Sequence, residues 1–260
     1  MPGSRLPVPN LQNFRLTLAY DGRAYYGWQR HGDSPTIQGA VERALSDVFA
    51  TEIEIRGAGR TDRGAHAKGQ VASAQLPTEA QGDGALAVIN NALPSDIQLL
   101  DVAPVADDFH ARHSAVAKRY RYVIFNAKQC PAKLKGLVWH IPGALDVEAM
   151  RAALPLFVGT IDFASFATKP NHKRATTVRT VTEFEMKGAA PTIELSIRAD
   201  GFLYKMVRNV VRAIVKVGEG RTPLADLQRI VDARDRKAAP GTAPASGLFL
   251  DEVVYAVPDA

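Results

Sequence analysis

The stretch "GAGRTDRGAHAKGQ", Gly57 to Gln70, holds one acid, Asp62, among four glycines and two arginines. No apolar run lies on either side to bury that acid. Arg60 and Asp62 stand two residues apart. If the alternating run "EIEIRGA" before them continues as a strand, both side chains point to the same side. A guanidinium that close holds a carboxylate ionised through a charge-assisted hydrogen bond. The glycines would let backbone or ligand approach closely. The spacing fits a lone catalytic carboxylate, and it fits a turn aspartate pinned by a salt bridge.

Other clusters could bind a polyanion. Tyr120 and Tyr122, in "KRYRYVIF", share one face of a predicted strand, with Arg119 and Arg121 on the other. Aromatics so placed stack bases or pack in the core. Lys205, Arg208, Arg212 and Lys216 recur at i, i+3, i+7 and i+11 of a helical pattern, as a line of phosphate contacts or as a solvated basic face. "KPNHKR" (169–174) adds Lys169, Lys173 and Arg174 in a polar loop, for contact with a polyanion or for solvent. His110 and His113 have no cysteine cluster or HExxH beside them, so no metal site is expected. Walker A, GxSxG and dinucleotide fingerprints are absent, which disfavours nucleotide cofactors and serine hydrolysis.

The elements that must position these groups can be read from periodicity. "FRLTLAY" (14–20) alternates as a strand. Ser34-Pro35 reads as a helix start, and Ile37, Val41, Ala44, Leu45 and Val48 follow it at helical spacing. Strands are expected at 52–58, 70–76 and 97–105, with a helix over 84–93 between the last two. The second half repeats the order: strand 118–125, helix 146–159 with Pro155 near its end, a hairpin over 179–200, a long helix over 202–220, a further helix over 224–234, and a last strand over 248–256. Both halves thus read β-α-β-β-α-β, an RRM- or ferredoxin-like plan, giving an α+β fold with mostly antiparallel sheets. The expected division is a tail over 1–12, an N-terminal domain over 13–106 and a C-terminal domain over 107–257. Helices on one face of each sheet would leave the other face free to bind.

Composition agrees with a globular protein that meets a polyanion. The 260 residues are 46% hydrophobic and 23% charged, with a net charge of +5. Residues 1–105 carry 9 Lys+Arg against 11 Asp+Glu, and residues 106–260 carry 23 against 16, so the excess of cations sits in the second half. Cys130 is the only cysteine, which suits a reducing cytoplasm. No apolar run approaches the roughly 18 residues of a membrane span. The start has prolines at 2, 7 and 9 and no apolar core of a signal peptide.

Seven stretches, in order, resemble the motifs of the TruA-type tRNA pseudouridine synthases. They are "LAYDGRAYYGWQRH" (18–31), "TIQGAVERAL" (36–45), "AGRTDRGAHAKGQV" (58–71), "FHARHSA" (109–115), "RYRYVI" (119–124), "ADGFLYKMVRN" (199–209) and "GTAPASGLFL" (241–250). The resemblance spans roughly residues 14 to 256. It implies isomerisation of uridine to pseudouridine at positions 38, 39 and 40 in the anticodon stem-loop of tRNA. It also implies a cytoplasmic homodimer needing no cofactor or metal, with two joined sheets and a basic cleft between the domains. By the same resemblance Asp62 is the nucleophile, Arg60 holds the site open around an extruded nucleotide, and Tyr120 packs on the uracil. Arg208 pairs with the aspartate, and Leu248 lines the base pocket. Lys205 and Arg212 on the long helix, with Lys169, Lys173 and Arg174, are further candidates for RNA contact. Arg63, Ala65, His113 and Lys205 depart from the residues usual in the family. The competing expectation is a non-catalytic RNA-binding protein with tandem RRM-like domains, which gives Asp62 no task. A glycosidase-like hydrolase would need a second carboxylate facing the same bond.

Overall fold

The computed structural model describes residues 10–81, 83–168 and 176–256. Lys169, Lys173 and Arg174 lie outside the described residues. The first half runs β1 (Leu11–Tyr20), α1 (Ile37–Phe49), β2 (Ile55–Gly57), β3 (His66–Pro77), α2 (Asp83–Ala92) and β4 (Ile97–Pro104). The second runs β5 (Ala115–Phe125), β6 (Trp139–His140), α3 (Val147–Ala152), β7 (Gly159–Asp162), β8 (Val178–Ala189), β9 (Thr192–Ala199), α4 (Met206–Gly218), α5 (Leu224–Ala233) and β10 (Leu248–Tyr255). All ten strands join one sheet in the order β4-β1-β3-β10-β5-β9-β8-β7, with β2 also on β3 and β6 also on β5. Only the β3–β10 and β5–β6 pairs are parallel. The chain is therefore a mixed α+β protein built on a large, mostly antiparallel sheet.

Alternation decides which face of that sheet is covered. In β1, Phe14, Leu16 and Leu18 are fully buried, while Arg15 on the opposite face reaches Asp101 of β4 at 3.2 Å. In α1, Ile37, Val41, Ala44 and Leu45 form the buried stripe. Each such leucine or isoleucine contributes about 1.5–3 kcal/mol by leaving water. The opposite face of the second half is not a free basic surface. Arg119 pairs with Glu183 and Glu252, Arg121 with Asp251 and Glu194, and Arg198 with Glu183. These cross-strand pairs cancel the charge that the sequence pattern left open for a ligand.

Several boundaries differ from the sequence reading, each for a local reason. α1 is capped by Thr36, whose side chain accepts from the Gly39 N–H, so Ser34-Pro35 precedes the helix. Expected helix 146–159 ends at Ala152. Pro155 lies inside a separate 3-10 turn, Leu154–Phe157, and β7 follows. α4 begins at Met206 and not at 202, because Lys205 sits in the left-handed region with φ 61°. The short strands β6 and β7 have no alternating pattern long enough to announce them. β3 starts at His66, four residues earlier than expected, because it gains β10 as a partner there.

The two halves meet where Phe249 and Leu250 of β10 pair with His66 and Ala67 of β3. Two residues beyond this short seam, Gly69 lies directly under the β10 backbone, and a Cβ there would stand 2.4 Å from the Asp251 carbonyl oxygen. A backbone atom in a paired strand cannot step aside cheaply. Gly69→Ala should therefore destabilise the protein by about 1–3 kcal/mol in urea unfolding. A change below ~0.5 kcal/mol would show that the seam yields to an extra methyl.

Candidate active site

Asp62 lies on the irregular segment 58–65 that links β2 to β3, beside the seam. That segment is fixed from several directions. The Lys118 ammonium donates to the Ala58 carbonyl at 2.7 Å, and the Gln70 amide donates to the Gly59 carbonyl at 2.7 Å. The Thr61 and Tyr20 hydroxyls lie 2.8 Å apart in the core, and the Trp28 N–H donates to the Thr61 carbonyl at 3.1 Å. A tight turn follows, in which the Ala65 N–H donates to the Asp62 carbonyl at 3.0 Å. Gly57 lets the Trp28 ring lie flat on the strand, where a Cβ would be 2.5 Å from the indole. At positions 57 and 69, then, the glycines of the opening motif make room for protein. At Gly59 they leave space: a Cβ there would be 3.7 Å from the Tyr120 hydroxyl and 3.8 Å from Lys118 Nζ.

The partner of Asp62 is Arg208, not Arg60. Arg208 Nη1 donates to Asp62 Oδ2, and the two side chains are only 13% and 19% exposed. Arg208 is itself aimed by a second bond, from Nε to the Ala243 carbonyl at 2.8 Å. Arg60 is exposed and makes no hydrogen bond or ion pair among the described residues. The two-residue rule fails for it because the chain leaves the extended state after Gly57.

Tyr120 forms a wall of the same site. It projects from β5, opposite Leu250, and meets the Phe202 ring edge-on at 4.9 Å. Burial pushes its phenol well above the usual range, and the neighbouring Tyr20 phenol and Asp62 carboxyl add to that. Tyr120 therefore stays protonated at neutral pH. Tyr122 serves the core instead: it is fully buried, its hydroxyl donates to the Pro244 carbonyl at 2.7 Å, and its edge meets Trp139. Leu248, buried at the start of β10, pairs across from Tyr122.

The expected line of four cations on the long helix does not form. Lys205 precedes α4 and lies over the Tyr204 ring, 5.0 Å from its centroid. Arg208 turns to Asp62. Arg212 turns inward over Trp139, 5.3 Å from the centroid, and Lys216 pairs with Glu219 at 2.6 Å. His110 and His113 lie ring to ring at 4.4 Å, and among the described residues no three potential ligands gather for a metal.

Sequence reasoning missed Lys118, although it shares the parity of Tyr120 and Tyr122 and so had to lie on their face. Burial, with a smaller push from Arg112, lowers its ammonium to about 8. Asn209 was also missed. A lone polar residue in the apolar stripe of α4 was the available signal. Fully buried, it donates to the Phe166 carbonyl at 2.7 Å and accepts from the Thr242 hydroxyl at 2.7 Å, tying the arm that carries Ala243 to the helix that carries Arg208.

Comparison with known proteins identifies the family. The family described as tRNA pseudouridine synthase matches residues 17–114 and 153–256. The tRNA pseudouridine synthase A 2 of Clostridium perfringens is 39% identical over 245 residues, covering 94% of this chain and all of that protein. The tRNA pseudouridine synthase A of Rhodospirillum centenum is 41% identical over 247 residues, covering 94% and 100%. That of Methylacidiphilum infernorum is 40% identical over 242 residues, covering 93% and 95%. With a single carboxylate held by an arginine across the seam, and with this extent of identity, the chain belongs to the tRNA pseudouridine synthase family.

Proposed function

We propose that this isomerase acts on the anticodon stem-loop of tRNA, converting uridine to pseudouridine at positions 38, 39 and 40, with Asp62 as its nucleophile. The observation that carries the reading is the Asp62–Arg208 pair: one carboxylate, largely shielded from water, held by an arginine from the other half of the chain. The reaction breaks the C1′–N1 bond, turns the uracil and forms a C1′–C5 bond, and the C5 proton leaves to solvent as N1 gains one. Nothing is oxidised or reduced, so the step needs no cofactor. Attack at C1′, attack at C6 and proton removal at C2′ all require one ionised carboxylate against the nucleotide. Asp62 is the candidate carboxylate, and among the described residues its partner is an arginine, where hydrolysis between two carboxylates would need a second acid.

The target uridine must leave the stack, at a cost of a few kcal/mol. Exposed and without a carboxylate partner, Arg60 is suited to fill the vacated space. Tyr120, kept protonated by burial, is suited to stack on uracil and donate a hydrogen bond, and ill suited to act as the base. Leu248 adds an apolar wall that retains the freed base. Lys205 is placed for a phosphate, whereas Arg212 is turned inward and contributes to the field more than to contact. The remaining assignments belong to the same proposal: domains over 13–106 and 107–257, each an RRM-like half, a basic cleft where they meet, a homodimer, and a cytoplasmic setting. No helix among the described residues is long and apolar enough to cross a membrane.

Asp62→Asn should bind tRNA as the unaltered protein does and release tritium from C5-labelled uridine at least ~10⁴-fold more slowly. Normal turnover by this variant removes the nucleophile assignment. Mapping pseudouridines in tRNA with and without the protein should show positions 38–40 and no others. Arg208→Ala should slow single turnover by about 10²-fold or more, with no recovery at low salt, because Asp62 loses its counter-ion. Recovery on lowering the salt would make Arg208 a phosphate contact.

A further inference from the structure

Next to Asp62, Arg63 turns away from the pair and lies over the Tyr26 ring, its guanidinium carbon 4.0 Å from the centroid. Both residues are exposed; Tyr26 keeps 52% of its surface, although the tyrosine and tryptophan around it are buried. Tyr25 is anchored by a 2.5 Å bond from its hydroxyl to Asp96, and Trp28 is packed on Gly57. The intervening Gly27 is what ties Tyr26 to the catalytic segment. Its φ is 95°, and a Cβ there would stand 2.6 Å from the Thr61 carbonyl oxygen and 3.1 Å from the Arg63 nitrogen. The outward tyrosine is thus held in register with the backbone that carries Asp62. Arg63 has neither an ion-pair nor a hydrogen-bond partner among the described residues.

A guanidinium lying flat on an aromatic ring keeps its N–H edge free, and that edge matches two oxygens of a phosphodiester. The ring fixes the side chain in advance, which lowers the ordering cost of binding. An arginine that only solvates a loop has no need of an exposed tyrosine beneath it. We propose that Arg63, stacked on Tyr26, binds the backbone phosphate of a nucleotide adjacent to the one held at Asp62. This rests on the reading of the site as an RNA-modifying centre, and it gives a task to a residue that departs from the family pattern.

The test uses unmodified tRNA transcripts and the Asp62→Asn protein, so that binding is read without turnover. Adding Arg63→Ala should weaken binding about 5- to 10-fold at moderate salt and lower the slope of log Kd against log salt by about 1, equally across tRNAs of different sequence. Tyr26→Leu should weaken binding about 2- to 3-fold, and should add little once Arg63 is gone, because the two act as a unit. With Asp62 intact, the Arg63→Ala loss should fall in KM, with kcat changed less than ~2-fold. Unchanged Kd and salt slope overturn the inference. So does a loss confined to tRNAs with one particular base beside the target, which would mean base reading. If the unaltered protein makes no pseudouridine in tRNA, the functional reading fails and takes this inference with it. An active protein whose Arg63→Ala variant binds normally removes this inference alone.

Discussion

The ion pair between Asp62 and Arg208 joins residues 146 positions apart, and much of the fold serves to bring them together. The acid sits on a linker of the first half and the arginine on the first turn of α4 in the second. Neither half holds both, so a site exists only when β10, the last strand in the chain, has slotted between β3 and β5. Shielding two charges from water is costly unless the geometry is good and the remaining hydrogen-bonding groups are satisfied. Arg208 meets this condition through Ala243, whose own N–H donates back to the Arg208 carbonyl at 3.2 Å. Asn209, one residue on, holds the same arm by Thr242. The helix and the arm are therefore fixed to each other by bonds that do not involve the aspartate.

The segment carrying Asp62 is irregular yet held tightly. Its carbonyls at 58, 59 and 61 accept from Lys118, Gln70 and Trp28, groups drawn from β5, β3 and the loop after β1. A loop with most of its carbonyls assigned a donor cannot drift by an ångström without losing several bonds at once. Lys118 has a particular place here, since it reaches across the seam as Arg208 does, and donates to the Ala58 carbonyl. Two cations of the second half thus grip one loop of the first, one by its acid and one by its backbone.

How much of this was legible follows from the range of each interaction. Period-2 and period-3.6 patterns announced the major strands and helices because burial on one face writes itself into nearby residues. Ends were less legible. Thr36 rather than Ser34 caps α1, and Pro155 divides what looked like one helix, because caps and breaks turn on single residues. The motif around Asp62 identified the acid but not its partner. Arg60 was near in sequence and Arg208 was not, and spacing rules speak only for regular backbone. The same limit made four cations of α4 look like one stripe, when the helix starts after Lys205 and its other three side chains go to an acid, an indole and a glutamate. The family resemblance named Arg208 as the partner where local geometry could not, since it draws on the whole order of motifs.

The charge asymmetry of the chain takes on a sharper meaning once its cations are located. The second half carries the excess, but Arg119, Arg121 and Arg198 are spent on carboxylates of neighbouring strands, and Arg221 and Lys216 share Glu219. A paired cation contributes little to the field felt by a distant phosphate. The first half has fewer cations, yet Arg60 and Arg63 flank the aspartate without carboxylate partners among the described residues. The bulk count therefore does not say where unpaired cations lie: among the described residues, two of them stand on the less basic half, beside Asp62. An acid placed among such cations does not present bare negative charge to a polyanion, because the flanking guanidiniums outnumber it at the surface.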